Sequence, residues 1–187
     1  MDLNGLLQCV RDHYVEQFRV FVAAMQDELG GGVAELKLQI KEGEGLFRGL
    51  YCIDFCANID GQASFREMQP DLVLNFDRFM GTVGQADLEV VSLRWHDINV
   101  EHDLEASPGG LDGWFDTWFD PEGTRYDPAA EFSLCIHSVS TEPGKLNVDF
   151  GTAPPDAFWH LVKVLLDAGA RRIRISGSED IVPEIVN

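Results

Sequence analysis

Residues 145–176 read KLNVDFGTAPPDAFWHLVKVLLDAGARRIRIS, and the architecture of the chain turns on them. Leu146, Val148 and Phe150 alternate with polar neighbours at the period of a strand. Pro155 suits a first helical position, and Phe158, Leu161, Val162, Leu165 and Leu166 follow at the spacing of one helix face, which Gly169 ends. Ile173 and Ile175 then resume the alternation. Strand, helix and strand joined by such short links predict a parallel strand pair with a right-handed crossover.

Toward the N-terminus, Leu7, Val10, Tyr14, Phe18, Phe21, Met25 and Leu29 step by threes and fours until Gly30-Gly31-Gly32, which predicts one long helix. Leu36, Leu38 and Ile40 alternate with polar residues, and after EGEG (42–45) so do Tyr51, Ile53, Phe55, Ala57 and Ile59, which predicts a hairpin. Segment 63–84 has no clean period and reads as irregular structure with a short helix. In 88–104 the apolar positions change parity near His96, so one strand with a β-bulge is expected there. Phe132, Leu134 and Ile136 predict a further strand, joined to Leu146–Phe150 by the turn STEPGK (140–145). The expected fold is a single α+β domain over 1–187: a mixed, twisted sheet of about six strands, an N-terminal helix and a C-terminal strand–helix–strand unit.

The chain has 187 residues, enough to bury a core without staples, and its 45% hydrophobic and 25% charged residues suit a folded, soluble domain. Its charge is unusual. Fourteen Lys and Arg against 32 Asp and Glu leave −18, and residues 97–131 hold ten of those acids against the single base Arg125. Nucleic acid and anionic membranes, which are bound by neutralising phosphates with Lys and Arg, are poor partners for such a chain. A basic protein is a good one. The N-terminus lacks the basic and apolar regions of a signal peptide, and Cys9, Cys52, Cys56 and Cys135 sit mostly in apolar runs. A reduced, cytoplasmic protein with four free thiols is expected.

Within the acidic region, GLDGWFDTWFDPEG (110–123) predicts a short helix with Asp112 as N-cap and Pro121 as its stop. Trp114, Phe115, Trp118 and Phe119 cover one side of its wheel, and Asp112, Asp116 and Asp120 the other. Like charges four residues apart cost a helix roughly 0.2–0.5 kcal/mol per pair, and no Lys or Arg nearby in sequence relieves them. Such a locally unfavourable surface is a mark of a binding site. The expected partner-binding residues are Asp97, Glu101, Asp103, Asp112, Trp114, Asp116, Trp118, Asp120 and Glu122, with the tryptophans as anchors.

Catalytic signatures are weak. Gly43–Gly49 has one residue too many for a dinucleotide loop and joins two strands, so it reads as a hairpin turn. His96 and His102, six residues apart on a strand, lie roughly 20 Å from each other and cannot share an ion. A His96-centred site would need a carboxylate from elsewhere. Cys135 and His137 share a strand face at roughly 7 Å, loose for a thiolate–imidazole nucleophile. Cys52 and Cys56, at roughly 13 Å, suit neither a disulfide nor a shared metal. Ser176–Asp180 reads as loop, His13 and His160 as solvated, and Arg171, Arg172 and Arg174 as paired within the acidic excess. No cofactor, metal or catalytic residue is assigned.

A small, acidic, single-domain α+β chain without a catalytic motif resembles the cytoplasmic immunity proteins of bacterial toxin systems, chiefly through Asp97–Glu131. The resemblance implies a non-enzymatic inhibitor whose acids, with Trp114 and Trp118, pair with a toxin's basic cleft. Two other readings stand beside it. One is an enzyme using Cys135 with His137 or a His96-centred set; the other is a homo-oligomer, a homodimer in the simplest case, burying the aromatics of 114–119 between copies.

Overall fold

Asp2 starts the longest helix, its Oδ1 accepting the Gly5 N–H at 2.8 Å, and Gly30 ends it in the left-handed conformation that a residue with Cβ adopts at a cost. This helix, α1 (Leu3–Leu29), buries Leu3, Leu7, Val10, Tyr14, Val15, Phe18 and Val22, most of the face its periodicity predicts. The computed structural model describes residues 2–40, 45–71, 76–125 and 127–177. No helix among them is long and apolar enough to cross a membrane.

The strands are β1 (Val33–Gln39), β2 (Leu50–Ile59), β3 (Gln62–Arg66), β4 (Phe79–Val83), β5 (Ala86–Val90), β6 (Ile98–His102), β7 (Ser138–Glu142), β8 (Lys145–Asp149) and β9 (Arg172–Gly177). They form two sheets, one ordered β1-β2-β3 and one ordered β4-β5-β9-β6-β8-β7. The expected six-stranded mixed sheet is present, and the predicted hairpin belongs to a separate antiparallel sheet. Its turn at 41–44 lies outside the described residues.

The C-terminal unit differs from expectation in one respect. β8 and β9 are parallel in direction, but β6 lies between them and pairs antiparallel with both. The inserted strand matches its neighbours in its buried Ile98 and Val100 and also in its charge. Glu101 faces Arg174 on one side and Lys145 on the other, Arg174 also faces Glu89, and Lys145 faces Glu142, so charges alternate in sign across five strands. Arg174 Nη1 lies 3.1 Å from Glu101 Oε1.

Three further segments depart from the sequence reading. Within 63–84, β3 and β4 stand where no strand was expected, while 67–71 and 76–78 are irregular as read and residues 72–75 lie outside the described set. The 88–104 segment is two strands, β5 and β6, separated by a turn at 91–97, not one bulged strand; that separation restores the buried face after the parity change. Residues 132–137 are not a strand, because Leu134 takes a positive φ of 54° that breaks the extended backbone; β7 begins only at Ser138.

Helices α2 (Leu111–Phe119) and α3 (Pro155–Asp167) pack against each other. Pro155 takes the predicted first position, and Phe158, Leu161, Val162 and Leu165 are buried. Gly110, not Asp112, occupies the N-cap of α2, and Asp112 stands in its first turn, a favourable place for a negative charge. Trp114, 0% exposed, sits in the core with its indole N–H donating to the Ala157 carbonyl at 2.9 Å. We therefore expect Trp114→Ala to cost about 3–5 kcal/mol in urea unfolding, through the cavity and the unpaired carbonyl together. Trp118→Ala, at a half-buried position, should cost clearly less, and equal losses would contradict this placement.

Candidate functional site

The acidic segment does not form one patch. Asp97 accepts from Asn147 Nδ2 at 2.7 Å, and Asp103 accepts the backbone N–H groups of Arg171 and Arg172 at 2.9 and 3.2 Å. Those donors, Arg171 first, hold the Asp103 carboxyl below the usual range. Glu101 and Asp103 line an open trough of about 680 Å³ on the six-stranded sheet, facing Arg172 and Arg174. Arg174 pairs with Glu101 and Glu89 and Arg172 lies 3.9 Å from Asp103, as expected, while the Arg171 guanidinium goes instead to Gln85.

Around α2 the acids divide by role. Asp112 and Asp116 are exposed on its outer side, as the wheel predicts, and Glu122 is exposed beyond its end. Asp116 is nonetheless paired: Arg48, distant in sequence, reaches it and also lies 5.6 Å above the Phe115 ring. Asp120 is structural. It is 6% exposed, and its carboxylate accepts Thr124 N at 2.8 Å, Thr124 Oγ1 at 2.7 Å and Arg125 N at 3.0 Å. Burial alone would raise its pKa, but these donors outweigh burial and hold it low. Trp118 is half-buried, with its indole N–H donating to His160 Nδ1 at 3.0 Å and the Arg125 guanidinium 5.3 Å from its ring. Trp114, Phe115 and Phe119 are core residues. Trp114 therefore cannot anchor a partner, and these aromatics are not an interface between copies.

A second constellation is buried where the sheets meet. Glu35 on β1 and Asp54 on β2 fall between the cross-strand pairs Ala34↔Phe55 and Leu36↔Ile53, and Glu35 takes a positive φ of 55°. Between these carboxylates stands His137, from the segment entering β7. Its Nε2 lies 3.1 Å from Glu35 Oε1 and its Nδ1 3.0 Å from Asp54 Oδ1. Asp54 Oδ2 accepts Met68 N at 2.7 Å, while Glu35 accepts Ser133 N at 2.5 Å and the Thr152 hydroxyl. The backbone closes the junction, Cys52 N donating to the His137 carbonyl at 2.8 Å.

Burial by itself would disfavour an imidazolium here, but Asp54 and Glu35 outweigh it and raise the His137 pKa well above its ordinary value. Burial would likewise raise Glu35, and His137 reverses that, lowering it. The two opposite shifts favour an ion pair between them.

Cys135 and Cys52 complete the group. The Cys135 thiol lies 3.9 Å from Glu35 Oε1, and the donor atoms of Cys52, Cys135 and His137 all lie within 4.8 Å of one another. The expected loose Cys135–His137 pairing on a strand face is replaced by a tight cluster, because Leu134 bends the chain and β2 contributes a second thiol. The interaction with Cys52 lowers the Cys135 pKa, while that with Cys135, followed by burial, raises Cys52. With Cys135 at 0% and His137 at 1% exposure, a substrate reaches neither without opening of the fold. His96 and His102 go elsewhere: His96 stacks on Tyr14 at 6.1 Å, and His102 Nδ1 accepts Leu104 N at 3.3 Å.

Glu35, Asp54 and Cys52 escaped assignment from the sequence. The available signal was two i, i+2 pairs, Cys52 with Asp54 and Cys135 with His137, each placing two ligating side chains on one face. No protein-family profile, curated protein or solved structure matches this chain.

Two outcomes test the buried junction. Gly151 has a φ of 49°, and a Cβ there would stand 2.2 Å from His137 Cδ2, so Gly151→Ala should destabilise the fold by displacing the imidazole; a variant as stable as wild type would refute this packing. Burial pushes the Asp149 carboxyl up to about 7. An acid with a higher pKa folded than unfolded binds its proton more tightly in the native state, so its contribution to stability declines as pH rises from about 4 toward 7. From pH 5 to pH 8 wild type should lose stability relative to Asp149→Asn, whose amide oxygen can still accept from Gly151 N, and a constant difference in urea unfolding would contradict this.

Proposed function

We propose that the chain is a non-enzymatic binding module that docks on and neutralises a basic protein, acting as immunity proteins do toward a toxin's basic cleft. The observation that carries this reading is a net charge of −18 with Asp112, Asp116 and Glu122 exposed on and beside the outer face of α2. Exposed carboxylates on a rigid element create a field that speeds encounter with a cationic partner. The Asp116–Arg48 pair does not remove Asp116 from that role, because both side chains are largely exposed and such pairs are worth only about 0–1 kcal/mol. A partner's guanidinium can replace Arg48. Trp118, half-buried beside this face, is the aromatic residue of the segment able to touch a partner. The closed state of Cys135 and His137 favours binding over catalysis, and four free thiols suit a reducing cytoplasm.

The test uses a partner captured from the native host and the variant Asp112→Asn/Asp116→Asn/Glu122→Gln. Asp120 is left intact, since it holds the turn at 120–125. Association should slow several-fold at low salt, with the melting temperature and the dissociation rate nearly kept, and wild type should lose the same advantage as salt rises toward ~0.15 M, where charge reaches only about 8 Å. Association kinetics equal to wild type would remove the support for a charge-steered interface on α2.

A further inference from the structure

Three side chains able to ligate a metal, Cys52 from β2 and Cys135 and His137 from the segment entering β7, bring their donor atoms within 4.8 Å of one another at the junction of the sheets, and Glu35 from β1 stands beside two of them, 3.9 Å from Cys135 Sγ and 3.1 Å from His137 Nε2. We propose that these four form a zinc site that clamps the three-stranded sheet to the six-stranded one. The site is independent of the acidic face of α2 and of what that face binds.

The donor set selects the metal. Two thiolates, an imidazole and a carboxylate suit tetrahedral Zn²⁺, whereas Ca²⁺ and Mg²⁺ prefer sites made wholly of oxygen. The spacing fits as well. Tetrahedral bonds of about 2.0 Å hold a nitrogen and an oxygen ligand about 3.3 Å apart, and sulfur bonds of about 2.3 Å separate two sulfurs by about 3.8 Å. His137 Nε2 and Glu35 Oε1 stand at 3.1 Å, Cys135 Sγ and Glu35 Oε1 at 3.9 Å, and the Cys52, Cys135 and His137 donors lie within 4.8 Å of one another. Glu35 lies outside the group whose donor atoms are all within 4.8 Å of one another, so an ion entering among the thiols and Nε2, which release their protons to solvent, draws the Glu35 carboxylate toward Cys52 to complete the tetrahedron.

The surroundings supply the outer shell such a site needs. Asp54 Oδ1, 3.0 Å from His137 Nδ1 but outside hydrogen-bond geometry, needs only a small rotation to orient a metal-bound imidazole with Nε2 as the ligating atom. Ser133 N and the Thr152 hydroxyl orient Glu35. Two non-glycine residues with positive φ, Glu35 itself and Leu134 beside Cys135, aim ligands inward at a cost in backbone strain. All four ligands are buried, so the site is closed and structural, with no position open to substrate.

The experiment is titration of the full chain, purified under reductant without a histidine tag, with Zn²⁺ alone against a chromophoric chelator, followed by Co²⁺ substitution. We expect one equivalent bound per chain, a melting temperature that rises with bound zinc, and a thiolate-to-cobalt charge-transfer band. Cys52→Ser and Cys135→Ser should each weaken binding at least 100-fold and diminish that band. Asp54→Asn should weaken binding about 10–100-fold with the band retained. Cys9→Ser and Cys56→Ser should change neither. Absence of stoichiometric uptake, uptake unaffected by both ligand serines, or a Cys52–Cys135 disulfide in place of metal would overturn the proposal. Should the serine variants not fold, X-ray absorption of zinc-loaded wild type decides: two sulfur and two nitrogen or oxygen neighbours support the site, and any other sulfur count refutes it.

Discussion

The imidazole of His137 sits between Glu35 and Asp54, carboxylates carried by the other sheet, and the relation of the two sheets depends on that contact. Separately, each group is costly to bury, since an isolated charge in the interior is several kcal/mol worse than in water. In the cluster the imidazole offsets much of the cost of the two carboxylates, and backbone N–H groups of Ser133 and Met68 satisfy their remaining oxygens. Several local oddities then share one cause. The positive φ at Glu35 and at Leu134, and a glycine at 151 where a Cβ would strike the imidazole, are all conditions for admitting this polar group between two apolar layers. Around it Phe18, Phe55, Cys52 and Ile136 close the interior, with Phe18 5.8 Å from the imidazole ring.

What could be read from the sequence follows from the range of the forces involved. α1 and α3 are legible because helical periodicity and terminal residues act within a few positions: Asp2 and Gly30 bound one helix, and Pro155 starts the other. The hairpin β1-β2 is legible from alternation, although Ile40 and Ile59, counted on its apolar face, stay partly exposed at the ends of the strands. Strand order is another matter. That β6 lies between β8 and β9 rests on pairings such as Val100 with Leu146 and Ile175 and Glu101 with Arg174, among residues more than forty positions apart. The wheel of α2 placed Asp112 and Asp116 outward correctly but put buried Asp120 with them, and it could not separate Trp114 from Trp118, since both lie on the apolar side and only the packing of α3 makes one core and the other half-buried. The same limit hid Glu35, whose negative charge in an alternating strand argues for solvent until His137 arrives from a hundred positions away.

The excess of acid is therefore two populations with different physics. One is structural: Glu35 and Asp54 bind an imidazole, Asp120 ties a turn, Asp103 receives two backbone N–H groups, and Glu101 joins the charge ladder. These carboxylates have geometry fixed by their partners and little freedom to meet another molecule. The other population, Asp112, Asp116 and Glu122 among its members, is held by nothing stronger than an exposed ion pair. Charge density along the sequence treats the two alike, and only the second retains a field and a surface to offer. A positively charged partner would thus meet the outer side of α2 before Asp97 or Asp103, even though all lie in the same acidic run. Exposure alone does not make that division, since Asp103 is exposed as well; the backbone N–H groups that hold its carboxylate do.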